Sequence, residues 1–179
     1  SAFVDIGWWK FLSLSPELFF EKRGRSLTVR PMKGSAPRGR WDEEDRAFAR
    51  GLRTSLKERA ENVMIVDLLR NDLGKIARPG SVRTTQLFQT EAYPTLWQMT
   101  SEIKARLRPG VGMGEMMTAL FPSGSVTGAP KRHTMEIIRD LESVPRGLYT
   151  GTIGLLRPNG HWTFSVAIRT LTLNEKTGE

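Results

Sequence analysis

The hydrophobic pattern of this chain changes period in blocks, and the order of those blocks limits the fold more than any other feature. Phe3-Val4-Asp5-Ile6 and residues 8–15 and 26–30 read as strands, the last two flanking the turn-prone Lys22-Arg23-Gly24-Arg25. A basic, glycine-containing loop is expected over residues 33–40. Asp42, followed by more acids, reads as the N-cap of one long helix. Phe48, Leu52, Leu56, Val63, Ile65, Val66 and Leu69 sustain that helix, and Gly74 ends it. Period two returns across residues 81–107, until Pro109-Gly110 breaks the chain. A short helix over 115–120, a loop over 121–130 and a helix over 131–141 follow. Strands over 149–156 and 162–173, joined by a turn at Pro158-Asn159-Gly160, complete the chain. Strands, helix, strands, helix, strands is an α+β order, not the regular alternation of a parallel α/β sheet.

Composition narrows the chemistry. The length of 179 residues fits one domain, and the absence of cysteine excludes disulfides, thiolate metal sites and cysteine nucleophiles. His133 and His161 are far apart in sequence and show no partner, so both read as structural and a histidine-rich zinc site is disfavoured. The net charge of +8 raises the question of nucleic acid. Yet bases alternate with acids around residues 42–61, and no cationic run forms a patch. The surplus then reads as a solvated surface or as a field that attracts small anions. No segment has the length of a membrane span or the pattern of a signal peptide, so a cytoplasmic location is expected, with neither nucleic acid nor membrane as partner. Strand-like residues at both ends suggest a piece of a longer protein.

Several residues could carry chemistry, and each has a plain alternative. Glu58 and Glu61 lie three apart in a helical pattern, which puts their carboxylates on one face about 5–6 Å apart at Cβ. Such a pair can hold a hard cation such as Mg2+, or simply be solvated. Lys33 precedes Gly34, which permits a turn close to a ligand. A lysine taken out of water loses preference for its charged form and becomes a nucleophile, whereas an exposed lysine is only a surface charge. Arg70-Asn71-Asp72 reads as a charge network at a helix end. Thr127-Gly128 runs toward a helix near Lys131, and its N–H groups could receive an anion or merely cap a turn. Tyr149 and Arg169 fall on the last two strands, the arginine offering a fork for a carboxylate.

Taken together, five stretches resemble the chorismate-utilising enzymes, the family of anthranilate synthase and aminodeoxychorismate synthase large subunits. They are Ser13-Leu-Ser-Pro-Glu17-Leu-Phe-Phe20, Arg30-Pro-Met-Lys-Gly-Ser35, Glu61-Asn-Val-Met-Ile-Val-Asp-Leu-Leu-Arg-Asn-Asp72, Phe121-Pro-Ser-Gly-Ser-Val-Thr-Gly-Ala-Pro-Lys131 and Ala167-Ile-Arg-Thr170. The resemblance implies two antiparallel sheets flanked by helices, with the active site in the cleft between them. In this family the residue before the motif glycine is alanine in anthranilate synthases and lysine in the para-aminobenzoate branch. Lys33 therefore implies the branch that makes 4-amino-4-deoxychorismate from chorismate and ammonia, with anthranilate formation as the alternative.

The same resemblance implies roles for single residues. Lys33 is the covalent nucleophile and Glu17 the general acid. Glu58 and Glu61 hold the Mg2+ that clamps the ring carboxylate of chorismate, while Gly34, Ser35, Thr127, Gly128, Tyr149 and Arg169 contact the substrate. A glutamine amidotransferase, as a subunit or a fused domain, supplies the ammonia. Ser35 stands where threonine is usual, and Gln98 where several relatives carry histidine. Relatives continue past Ala167-Ile-Arg-Thr170 into a further strand and a helix bearing a second Glu-x-x-Glu pair. The chain is thus expected to be a partial catalytic domain lacking upstream sequence and that C-terminal strand and helix. An inactive chorismate-binding fragment is the other reading this leaves.

Overall fold

A computed structural model describes residues 1–178, which form ten β-strands and four α-helices. Two antiparallel sheets result. β1 (Ala2–Asp5), β2 (Trp9–Ser13) and β10 (Thr170–Asn174) make a three-stranded sheet with β2 in the middle. The seven-stranded sheet contains β3 (Leu18–Arg23), β4 (Ser26–Arg30), β5 (Met32–Pro37), β6 (Arg83–Ala92), β7 (Leu96–Arg106), β8 (Thr152–Leu156) and β9 (Trp162–Val166). β7 takes β6 on one side and both β4 and β5 on the other. Pro31 separates β4 from β5, and its carbonyl still accepts from Ser101 N–H at 3.2 Å, so the proline bends the edge without breaking the pairing. The expected antiparallel, helix-flanked α+β architecture is present.

The core forms where helices meet the larger sheet. α2 (Leu56–Gly74) presents Ile65, Val66, Leu69 and Leu73 to Phe20, Leu27, Val29 and Ile103, and α3 (Met113–Leu120) adds Met116 and Leu120. Each of these side chains is almost completely buried, contributing about 1.5–3 kcal/mol relative to exposure. Phe20 stacks on Phe164 with ring centroids 4.7 Å apart. α4 (Lys131–Leu141) has the bounds the sequence pattern predicts and buries no residue completely. No helix among the described residues is long and apolar enough to cross a membrane.

Six local expectations are corrected. Residues 33–37 are not loop but most of β5, because they pair with β7. The long helix is two: α1 (Asp42–Thr54) and α2 meet at Ser55, whose ψ of 118° is not helical. Ser55 N–H closes α1 on the Gly51 carbonyl at 2.9 Å, and its hydroxyl accepts from Glu58 N–H at 3.4 Å. Ser55-Leu-Lys-Glu58 is a capping-box sequence, the local signal for this break. Asp42 is the first helical residue, and Trp41 occupies the N-cap without a side-chain bond. Tyr149 lies in a turn before β8 rather than on a strand. The last predicted strand is divided at residues 167–169, where Arg169 adopts φ 50° and the chain passes from β9 to β10. His161 does have a partner: its Nε2 lies 2.8 Å from Glu21 Oε1.

That passage between sheets positions the site. Residues 14–17 cross from β2 to β3, and residues 167–169 cross from β9 to β10 beside them. Leu14 N–H donates to the Arg169 carbonyl at 3.0 Å, and Val166 N–H to the Glu17 carbonyl at 3.1 Å. Glu17 and Arg169 thereby stand at the junction of the two sheets.

Candidate active site

Glu17 is a buried carboxylic acid, 7% exposed. Its hydroxyl partner is Ser125, and the Lys33 ammonium is the charge beside it. Burial pushes the Glu17 pKa up, while the Ser125 hydrogen bond and the Lys33 charge offset part of that rise. From β5, Lys33 Nζ donates to the Ser125 carbonyl at 3.1 Å. One serine therefore touches both groups, its hydroxyl facing the acid and its carbonyl facing the amine. Residues 121–130 supply this serine and order themselves: Ser123 Oγ is 2.9 Å from Ser125 Oγ, and Thr127 Oγ1 donates to the Ser123 carbonyl at 3.0 Å. Ser125 escaped the sequence reading, which saw only hydroxyls in a loop. Its separation from Lys33, 92 residues, leaves no local signal.

Gly34 joins this pair to α2. Its φ of +92° is a conformation that side chains rarely adopt, and a Cβ placed there would lie 2.7 Å from Glu58 Oε2. Glu58 therefore packs directly against the irregular stretch of β5 that presents Lys33. On the other side, Gln98 Nε2 donates to the Gly34 carbonyl at 2.8 Å, and Gln98 is the β7 partner of Ser35. Gly34→Ala is expected to cost about 1–3 kcal/mol in backbone strain and to displace the Glu58 carboxylate. Thermal melts of the two proteins check the cost, and equal melting temperatures would contradict the strain at Gly34.

Glu58 and Glu61 sit in the first two turns of α2, Glu58 half-buried and Glu61 exposed. Neither carboxylate is in an ion pair among the described residues, where no group of three or more metal-ligating side chains occurs. Two unpaired hard oxygen donors one turn apart fit part of a Mg2+ site, whose other positions would be filled by water and a substrate carboxylate.

The remaining predicted residues surround the junction but do not share one cavity. Thr127 and Tyr149 border a groove of about 500 Å3 with Phe121, Met135 and Ile138. Arg169 borders another, of about 300 Å3, with Met32, Tyr93 and Gln98. Gly128 has φ +149°, and a Cβ there would lie 3.3 Å from the Thr134 side chain. Ser35 is exposed beside Gln98. Structure thus unites Glu17 and Lys33 around Ser125, sets Glu58 against the neighbouring Gly34, and leaves Tyr149 and Arg169 on flanking walls. A buried acid within reach of an amine, next to a carboxylate pair, suits proton donation to a leaving group while a nucleophile attacks a carboxylate-bearing substrate.

Comparison with known proteins defines the family. The chain belongs to the chorismate binding enzyme family, which it matches over residues 1–179. It is 47% identical over 176 residues to an aminodeoxychorismate synthase of Streptomyces griseus, covering 97% of this chain and 24% of that protein. With aminodeoxychorismate synthase component 1 of Klebsiella aerogenes it shares 45% identity over 172 residues, 96% of this chain and 38% of the relative. The crystal structure of anthranilate synthase component I from Streptococcus pneumoniae TIGR4 superposes with a TM-score of 0.87 at 35% identity, over 98% of this chain and 38% of that one. The chain thus spans well under half the length of these relatives.

Proposed function

We propose that this chain is the catalytic part of an aminodeoxychorismate synthase, converting chorismate and ammonia to 4-amino-4-deoxychorismate, the precursor of para-aminobenzoate in folate synthesis. The observation that carries the reading is the Lys33–Ser125–Glu17 constellation, an amine and a buried acid held by one residue. The Lys33 amine, in its neutral form, adds at C2 of chorismate as both ring double bonds shift and the C4 hydroxyl leaves, taking its proton from Glu17 and departing as water; the nitrogen that has added then returns a proton to the Glu17 carboxylate. Ammonia next attacks C4, the double bonds shift back and the lysine amine is expelled, the proton lost by the incoming ammonia balancing the one the departing amine takes up. Two allylic displacements replace one awkward substitution at a single carbon.

Glu58 and Glu61 would hold Mg2+, which when bound neutralises the ring carboxylate of chorismate. Thr127, Gly128, Tyr149 and Arg169 would line the substrate, with Gly34 and Ser35 against the ring. The designation of relatives as component 1 supports a second component, a glutamine amidotransferase subunit or domain, as the source of ammonia. The likeness to an anthranilate synthase structure favours the alternative of 2-amination, and Lys33 weighs against it. Chromatography of the products made from chorismate, ammonium and Mg2+ by the chain extended to the length of its relatives, the full chain in every test that follows, tests the choice. The 4-amino product, lost on chelation of the metal, is expected. Anthranilate, or turnover indifferent to chelation, would overturn the proposal.

A further inference from the structure

The loop that carries Ser123, Ser125 and Thr127 has its two ends joined by one lysine, which is itself bound to a buried carboxylate. Asp72, in the last turn of α2, is 1% exposed. Lys131, the first residue of α4, donates through Nζ to Asp72 Oδ2 and, at 3.0 Å, to the carbonyl of Leu120, the last residue of α3. Lys75 Nζ donates to the other oxygen, Asp72 Oδ1, at 2.7 Å. The Lys75 side chain is 56% exposed and that of Lys131 only 13%, so Lys131 is the desolvated partner. Midway along the loop, Gly124 lies flat on α2: a Cβ there would come 2.6 Å from Leu68 Cδ2. From this base the loop bonds reach Ser125, and Ser125 reaches Lys33 and Glu17.

We propose that Asp72 and Lys131 are positioning residues that fix the base of this loop, so that Ser125 is held between Lys33 and Glu17. The proposal rests on the reaction assigned above. A buried ion pair is a poor device for stability alone, since well-packed apolar residues often serve as well, whereas loss of one partner strands the other charge. What the pair supplies is direction: charge-assisted bonds from one ammonium to a fixed carboxylate and to the Leu120 carbonyl define where the loop begins and ends. A misplacement of about 1 Å at a reacting group can cost about 100-fold in rate.

Variants of the full chain separate positioning from stability, assayed with chorismate, ammonium and Mg2+. Lys131→Met leaves the buried Asp72 with only the solvent-exposed Lys75 as partner and is expected to lower both Tm and activity. Asp72→Leu with Lys131→Met removes both charges. Its Tm is expected to recover to near that of the unaltered chain, while kcat remains about 100-fold down. Lys131→Arg, which keeps the charge, is expected to restore most of kcat. Recovery of kcat together with Tm in the double variant would overturn the proposal, as would a loss confined to KM. Amide hydrogen exchange over residues 121–130 gives a readout independent of turnover. Faster exchange there in the double variant, with α2 unchanged, is expected, and unchanged loop exchange would refute the clamp. An unaltered chain that turned over no chorismate would instead refute the functional reading, and exchange would still decide the clamp.

Discussion

Lys33→Ala is expected to lower formation of 4-amino-4-deoxychorismate by about 10³-fold or more, equivalent to about 4 kcal/mol of lost transition-state stabilisation at about 1.36 kcal/mol per decade. The proposed mechanism routes both bond changes through this amine, and the group that faces Ser125 and Glu17 from β5 is Lys33 itself. Truncation leaves the backbone pairing of β5 with β7 intact, so the fold should persist by circular dichroism. With the lysine gone, C2 is open to ammonia, and residual turnover should shift toward the 2-amino product. Quantifying both products in one chromatogram checks the prediction. Undiminished 4-amination would remove Lys33 from the mechanism.

Glu17→Gln is expected to lower kcat by about 10²–10⁴-fold, the usual contribution of a positioned general acid. It should also change how rate and stability depend on pH. Burial holds the Glu17 carboxyl above its ordinary value, so it remains a proton donor to higher pH than a solvated glutamate. Activity limited by this group falls as pH rises through the folded-state pKa, and that alkaline limb should vanish in the glutamine variant. The sign for stability is the same. A carboxyl that binds its proton more tightly when folded contributes stability below its unfolded pKa, and that contribution is lost as pH rises through the folded value. Glutamine cannot ionise. The variant should therefore melt higher than the unaltered chain at about pH 8 and no higher at about pH 4, a stability gain at the cost of activity. Thermal melts at the two pH values check this, and equal melting differences at both would contradict the role of burial.

How much of this was legible in the sequence depends on how far apart the partners lie. The helix at Lys131–Leu141 could be bounded because its period and the preceding proline are local. The division at Ser55 was equally local, but the apolar positions continue in helical phase across it and mask the capping serine. The passage from β9 to β10 had no local mark, since the left-handed turn at Arg169 is set by which sheet each half joins. Residue types and motif order indicated Glu17, Lys33 and the Glu58, Glu61 pair. Their convergence required Ser125 and Gly34, and the clamp required Asp72 to meet a lysine 59 residues away. Contacts of that range are products of the sheet topology and leave no periodic trace.

The most direct test of the account is the mass of the peptide containing Lys33 after the full chain is incubated with chorismate and Mg2+ without any nitrogen donor, then quenched. Addition of the lysine amine with loss of the C4 hydroxyl as water predicts a gain equal to chorismate minus water on Lys33, discharged as 4-amino-4-deoxychorismate when ammonium is supplied. An unmodified Lys33 in a chain that aminates chorismate as soon as ammonium is added would contradict covalent catalysis by this residue.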